Sequence, residues 1–502
     1  MIKISSYRPE IDGLRAVAVL SVILFHTGLG VTPGGYVGVD IFFVISGFLI
    51  TNIIFQELNK GSFSLTTFYE RRIRRIFPAF FFVVFVSSVA AWFILTPGEL
   101  KDYSQSVLAS SIFLSNIYFF LKTDYFATNS EELPLLHTWS LSLEEQFYLF
   151  FPLLMIALFL INRKLITEAI ITLFLISFTF SLFIGVTDTT FNFYMLPTRG
   201  WELLAGSLLA INYSYLRESL MSKKTLFRLL ELLGALAIIG SIMLLDSKTV
   251  FPGIATIPVI FGTFLLILTM HEKSIVGKLL SSRLAVSIGL ISYSAYLIHQ
   301  PLFVYFRLID FSDRPLLIIF LIPISLLLAY LSWKYVEQPF RNKDKITRKA
   351  IFSFGLVAII FSVLAGLAGH LNDGFSQRFD PKLVAVSESA LASPHRNSCH
   401  TDGANYLKPQ SSCFYGTNDI KWAVFGDSHG VELAAALGDF LHNSDKGVRH
   451  LSFSGCPPAL LFDIDNPGCN EWVRESLDFL NLDSDIESVI IVYRYGFYLY
   501  GD

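Results

Sequence analysis

The hydrophobic positions of this chain fall in long blocks. A helix needs about 20 mostly apolar residues to cross a bilayer. Runs of that kind occur near 12–30, 37–56, 77–95, 143–161, 166–185, 195–213, 229–246, 253–270, 285–307, 315–334 and 350–369. A further stretch, 104–121, holds Ser104, Gln105, Ser106, Ser110, Ser111, Ser115 and Asn116 and is more polar than the others. The basic residues decide how to count it, because Lys and Arg concentrate in cytoplasmic loops. They cluster in "ERRIRR" (70–75), "NRK" (162–164), "SKKTLFR" (222–228), "HEKSIVGKLLSSR" (271–283) and "RNKDKITRK" (341–349). With 104–121 excluded as a crossing, every basic loop falls on the side of the N-terminus. The pattern predicts about eleven transmembrane helices, a cytoplasmic N-terminus and an extracytoplasmic C-terminus.

After Gly369 the pattern changes. Residues 370–420 are polar and loop-like. "KWAVFGDSHGVELAAALGDFL" then reads as strand, tight turn and helix, "VRHLSFSGCPP" as a strand running into a loop, and "ESVIIVYRYGFY" as another apolar strand. Strands alternating with a helix predict a parallel α/β sheet. With about 80 residues after Lys421, that sheet is expected to be incomplete. The expected organisation is a polytopic helical membrane domain over 1–345, an additional transmembrane helix over 346–370, an extracytoplasmic linker over 371–420 and a partial α/β domain over 421–502.

Composition agrees. The chain is 53% hydrophobic and only 16% charged, with 48 Phe, which suits a multi-pass membrane protein carrying a soluble part. A net charge of −3 gives no reason to expect a nucleic-acid partner. Cys399, Cys413, Cys456 and Cys469 all lie in the late segment. Two close pairs there favour disulfides in an oxidising compartment. Metal binding is the rival, but no CxxC or CxxH spacing supports it, and no metal is expected.

Several ionisable residues sit inside the apolar runs, where they are costly and by default face a cavity or a partner. Arg15 and His26 are eleven residues apart, which brings them to within about 20° of one helix face and about 16 Å apart along it. Asp12, one turn before Arg15, can pair with it. The predicted topology puts Asp40, Glu144, Glu145, Arg199, Glu202 and His299 at a depth close to that of His26. Arg71, Arg72, Arg74 and Arg75 lie at the opposite, basic end. A functional reading has the basic end hold an anionic molecule and His26 act as general base or acyl carrier, with carboxylates orienting it. The competing reading is that these groups pair only to hold helices together.

The residues carry a resemblance. "YRPEIDGLRAVAVLSVILFH", "GGYVGVDIFFVISGFLIT", "FYERRIRRIFPA", "LLHTWSLSLEEQFYLFFP", "TRGWELLAG", "YSAYLIHQPL" and "YVEQPFRN" resemble, in order, the motifs of the acyltransferase-3 membrane family. The segment 370–502 resembles the extracytoplasmic SGNH domain often fused to it. The resemblance implies O-acylation, usually O-acetylation, of a cell-surface or lipid-linked polysaccharide from cytoplasmic acetyl-CoA, by a protein of the bacterial inner membrane. The lipopolysaccharide O-antigen is the expected acceptor, with peptidoglycan or an exopolysaccharide as the alternative. Carried over residue by residue, it implies a donor site at Arg15, Arg72 and Arg75 and a catalytic role for His26. Asp40 and Glu144 match further motif positions and are expected to be catalytic, with Arg199, Glu202 and His299 in support.

In the SGNH-like part, "FGDSHG" (425–430) follows a strand and opens a helix, so that Ser428 can be a nucleophile beside a helix N-terminus, which favours developing negative charge. The resemblance places Asp427 and Gly455 in support of it. The family's later Asp-x-x-His block is not found. The one such pattern after Ser428, "DFLH" (439–442), lies on the helix directly after the nucleophile and is expected to be a solvated face. The family's Asn block is not recognisable near "VYRYG". Two other functions stay open at this level: a multi-pass transporter, which would show inverted repeats that are not seen here, and a membrane-anchored module that only binds glycan.

Overall fold

Each apolar run forms a helix, because in lipid only a helix satisfies its own backbone polar groups segment by segment. The computed structural model describes residues 7–122, 132–271, 274–311, 315–382, 384, 393, 395–401, 403–460, 466–495 and 498. The chain divides into two units, Met1–Ser376 and Gln377–Asp502.

The first unit is a helical bundle. Its helices are α1 (Pro9–Phe25), α2 (Gly38–Asn59), α3 (Leu65–Ile94), α4 (Pro97–Ser111), α5 (Ser115–Lys122), α6 (Thr138–Ile161), α7 (Leu165–Thr187) and α8 (Thr189–Tyr194). They continue with α9 (Leu196–Met221), α10 (Lys224–Leu244), α11 (Ile257–Thr269), α12 (Ile275–Leu280), α13 (Arg283–Phe306), α14 (Leu321–Ser332), α15 (Gln338–Arg341) and α16 (Arg348–Leu371). Among the described residues, seven helical segments are long and apolar enough to cross a membrane: Gly35–Asn59, Leu65–Ile94, Thr138–Ile161, Leu165–Thr187, Lys224–Leu244, Leu317–Arg341 and Arg348–Leu371. The other four predicted runs are also helical. Two are short, α1 at 17 residues and α11 at 13. The other two carry ionisable residues, Arg199 and Glu202 on α9 and His299 on α13.

The polar stretch 104–121 is not one helix. It breaks between α4 and α5, where Phe113 takes a positive φ of 56°, a conformation that ends a helix for any residue with a Cβ. Its hydroxyls are spent inside the bundle: Ser110 bonds Thr138 at 2.8 Å and Ser115 bonds Ser142 at 2.7 Å.

α1 packs along α13 and α2, and α2 along α9 and α6. The α1–α13 contact is backbone-close. A Cβ on Gly289 would stand 1.9 Å from the carbonyl oxygen of Asp12, so only glycine fits there.

The second unit is a four-stranded sheet of β1 (Phe414–Gly416), β2 (Ile420–Gly426), β3 (Gly447–Ser452) and β4 (Ser488–Val492), in the order β1-β3-β2-β4. β2 pairs in parallel with both β3 and β4, as the alternating pattern predicts. β1 runs antiparallel to β3 and lies in the stretch read from sequence as loop. Its three residues are too few to show a periodicity. Disulfides join Cys399 to Cys413 and Cys456 to Cys469. The first ties the segment before β1 to the sheet, so the latter part of 371–420 belongs to the folded unit.

Candidate functional site

Four helices set up a chain of polar groups in the membrane unit. Arg15 lies within α1 and His26, eleven residues on, is its C-cap. On α6, His137, Ser140, Glu144 and Tyr148 repeat at intervals of three and four from the helix's N-cap inward. On α13, Ser292, Tyr296 and His299 do the same in the opposite direction. On α3, Arg72 and Arg75 share a face three residues apart.

Those faces enclose a cavity of about 160 Å³ between α1, α2, α3, α6 and α13. Arg15, Arg72 and Arg75 line it with Glu144 and Tyr148, and Ser140 and Tyr296 line its other end. Within "ERRIRR" the four arginines divide by face. Arg71 pairs with Glu57 at 2.6 Å, and Arg74 with Glu70 at 3.0 Å. Arg74 also donates to the carbonyls of Phe340 and Ile346. Among the described residues, neither Arg72 nor Arg75 has a carboxylate within ion-pair distance; Arg72 instead faces the rings of Phe68 and Tyr148 at 5.9 and 5.7 Å. Arg15 keeps Asp12 as a partner at 3.2 Å. The Glu144 carboxylate accepts from Ser46 at 2.8 Å and from Tyr148 at 3.3 Å. Two arginines without carboxylate partners beside a cavity are the groups there that can hold an anion, phosphate-type groups above all.

Beyond the Ser140–Tyr296 end stand three buried imidazoles. The ring centroids of His26 and His299 are 5.1 Å apart, and those of His137 and His299 are 5.7 Å apart. Their tautomers follow from the backbone. Nδ1 of His26 lies 2.9 Å from the carbonyl of Val22, which can only accept, so Nδ1 carries the proton and Nε2 the lone pair. Nδ1 of His299 lies 2.6 Å from the carbonyl of Tyr296, with the same consequence. In their neutral form His26 and His299 therefore carry the lone pair on Nε2, the form needed by a general base or a nucleophile. Arg307 donates to the backbone carbonyl of His26.

A third group stands by itself. Arg199 is 1% exposed and lies 3.2 Å from Asp40 and 3.1 Å from Glu202, each of them 0% exposed. The rings of Phe43, Trp139, Phe193 and Phe251 surround its guanidinium at 5.3–5.5 Å. This cluster braces α2 against α9.

Of the residues expected near the depth of His26, His299 stands beside it, and Asp40, Arg199 and Glu202 form the separate brace. Glu144 belongs to the arginine cavity. The displacement of Glu144 comes from where α6 begins. The apolar run starts near residue 143, but the helix starts at Thr138, which carries Glu144 about 9 Å deeper than its place at the start of the run implies. His137, Tyr148, Ser46 and Tyr296 were not singled out by sequence. The three-and-four spacing of His137, Ser140, Glu144 and Tyr148 was the available signal.

In the second unit, Ser428 lies two residues after the end of β2 and two before the helix Gly430–His442. Asp427 is buried and shapes this turn. Its carboxylate accepts from the amides of His429 and Arg494 at 2.9 Å each, and it lies 3.1 Å from Nδ1 of His429. Gly455, with φ 59°, begins the loop after β3, at the same carboxyl end of the parallel strands, where open α/β sheets bind ligands. Among the described residues none hydrogen-bonds to the Ser428 hydroxyl. Asp439 and His442 are exposed on the helix surface, as expected.

Comparison with known proteins gives two family matches. Residues 8–334 match the model of an acyltransferase domain, and residues 398–502 match an SGNH domain of the kind fused to such acyltransferases. The chain is similar to a provisionally named O-acetyltransferase of Staphylococcus aureus (strain MSSA476), 28% identical over 462 residues, which are 86% of this chain and 75% of that protein. It is similar to the peptidoglycan O-acetyltransferase OatA of Listeria monocytogenes, 32% identical over 397 residues, 73% of this chain and 64% of that protein. It is also similar to a provisionally named peptidoglycan O-acetyltransferase, YrhL, of Bacillus subtilis (strain 168), 32% identical over 401 residues, 72% of this chain and 63% of that protein. No solved structure matches the chain.

Proposed function

Since the chain belongs to the acyltransferase-3 membrane family and carries the SGNH domain fused to its members, we propose that it O-acetylates a glycan of the cell envelope, with acetyl-CoA as donor. Peptidoglycan is the favoured acceptor. The O-antigen expected from sequence gives way to it because two relatives bear peptidoglycan O-acetyltransferase names.

The observation that carries the reading is the pair Arg72 and Arg75, facing the cavity that Arg15 and Glu144 share and that ends beside the histidines. These cations suit the phosphates of a coenzyme A thioester. Arg15 and Asp12 position that end, and the acyl end points toward Tyr296. His26, with its basic Nε2, receives the acyl group or takes the proton of the hydroxyl that does, and His299 stands beside it to share that proton. The chain crosses the membrane eleven times in this proposal, with the arginine end cytoplasmic and the SGNH domain outside. Ser428 then accepts the acyl group for delivery to the glycan hydroxyl.

The test is alkali-labile acetate on isolated cell-wall glycan from a deletion strain complemented with this chain or its His26→Ala form. Acetate restored by the unmutated chain alone supports the proposal. Equal acetate with His26→Ala, at equal membrane abundance, overturns the role of His26.

A further inference from the structure

The arginine cavity and the histidine group share one side chain. Tyr296 lines the cavity. Its ring centroid also lies 5.5 Å from that of His299 and 5.5 Å from that of His137. Phe42, another lining residue, packs edge-on against it at 6.2 Å. The ring is not free to swing. Its hydroxyl lies 2.6 Å from Oγ of Ser140 and donates to the carbonyl of His137 at 3.0 Å. Its own carbonyl holds Nδ1 of His299. Tyr296 is therefore a fixed side chain at the end of the donor space, in contact with the cavity and with the imidazoles beside it.

We propose that Tyr296, backed by Phe42 and latched through Ser140, is the specificity-determining wall that limits the length of the acyl group. This rests on the donor reading above, which brings the acyl end of the thioester to this end of the cavity. An acetyl group ends before the ring. Each further methylene must push into a side chain held by two hydrogen bonds, and one methylene against a closed apolar wall is worth roughly tenfold or more in discrimination. Butyryl, two methylenes longer than acetyl, is then disfavoured by roughly 100-fold. Tyr296→Ala removes the wall. Tyr296→Phe keeps the ring and loses only the latch.

The experiment uses the full chain in lipid nanodiscs with acetyl-CoA and butyryl-CoA as probes. Two readouts are taken: release of coenzyme A, and the shift in melting temperature on adding each thioester to a His26→Ala background, which reports binding without turnover. The unmutated chain is expected to favour acetyl-CoA by roughly 100-fold, and Tyr296→Ala to narrow that ratio at least tenfold. Tyr296→Phe, which keeps the ring but frees it, is expected to narrow the ratio by an intermediate amount, roughly threefold to tenfold. Phe42→Ala serves as the second opening variant, so that poor folding of one does not decide the matter. If both opening variants keep the unmutated ratio while still consuming acetyl-CoA, the wall is refuted and the donor reading stands. If the unmutated chain neither consumes nor is stabilised by any acyl-CoA, the donor reading fails and the wall with it.

Discussion

His26 and His299 stand on neighbouring helices with ring centroids 5.1 Å apart, and each has turned Nδ1 toward a backbone carbonyl of its own helix. Two bases held in one tautomer beside each other act as a unit. His26→Ala is expected to lower acyl transfer at least 100-fold, and His299→Ala by a comparable amount. The double variant should be little worse than either single one, because groups that work together are not additive. Envelope acetate, normalised to protein in the membrane fraction, checks this. A double variant whose loss equals the product of the two singles would show independent roles.

The Arg199 brace makes a different prediction, about stability. Removing one partner from a buried ionic group strands the others, at a cost of about 3–5 kcal/mol. Arg199→Met is expected to lower the melting temperature of the detergent-solubilised protein sharply. Adding Asp40→Asn and Glu202→Gln should recover most of the loss, since neutral amides can be buried where carboxylates cannot. Recovery of stability without recovery of acyl transfer would assign Asp40 a chemical role beyond the brace.

His450 gives the second unit a pH dependence. It is buried at the centre of a hydrogen-bonded group, with Ser452 at 2.6 Å from Nε2 and the Tyr415 hydroxyl at 3.2 Å from Nδ1. Burial first, then the neighbouring His400, pushes its pKa down to about 4, with Glu432 opposing and Arg396 assisting. An unfolded histidine titrates near 6.5, so between those values the unfolded chain binds the extra proton. The stability contributed by neutral His450 is complete above about pH 6.5 and is lost as pH falls toward 4, to a total of roughly 3 kcal/mol. The melting transition of the second unit should therefore drop between pH 6.5 and 4.5, and His450→Gln should flatten that dependence. An equally steep dependence in the variant would place its origin in another group.

The Cys456–Cys469 disulfide joins residues 13 apart, next to Gly455. A loop of that size constrains the unfolded chain by about 3 kcal/mol. Cys456→Ser with Cys469→Ser should lower the melting temperature of the second unit and leave that of the helical unit in place. Protease digestion of membranes, with the released fragments sized by mass, distinguishes the two.

Much of this was legible from local pattern. All eleven apolar runs are helices, the polar stretch 104–121 breaks at Phe113, and the strand–turn–helix at Ser428 lies where the sequence puts it. The two arginines that line the cavity were implied by the family resemblance and not by spacing, because Arg71 and Arg74 are three residues apart just as Arg72 and Arg75 are. What failed was depth. A hydrophobic run marks the apolar part of a helix and not its first residue, and the polar start of α6 at Thr138 was enough to move Glu144 to another group. β1 was invisible because three residues cannot display a period.

The bond from the Arg494 amide to the carboxylate of Asp427 spans 67 positions of sequence and has a consequence for timing. β4 pairs with β2 just before it, and the Asp427 amide donates to Val492 at 3.1 Å. The loop bearing Ser428 thus takes part of its shape from residues made much later. During synthesis the helical unit can be seated in lipid while this loop is still waiting for its last contacts. A nascent chain caught at that stage would have its helical bundle complete while the Ser428 loop still lacked its bond from Arg494.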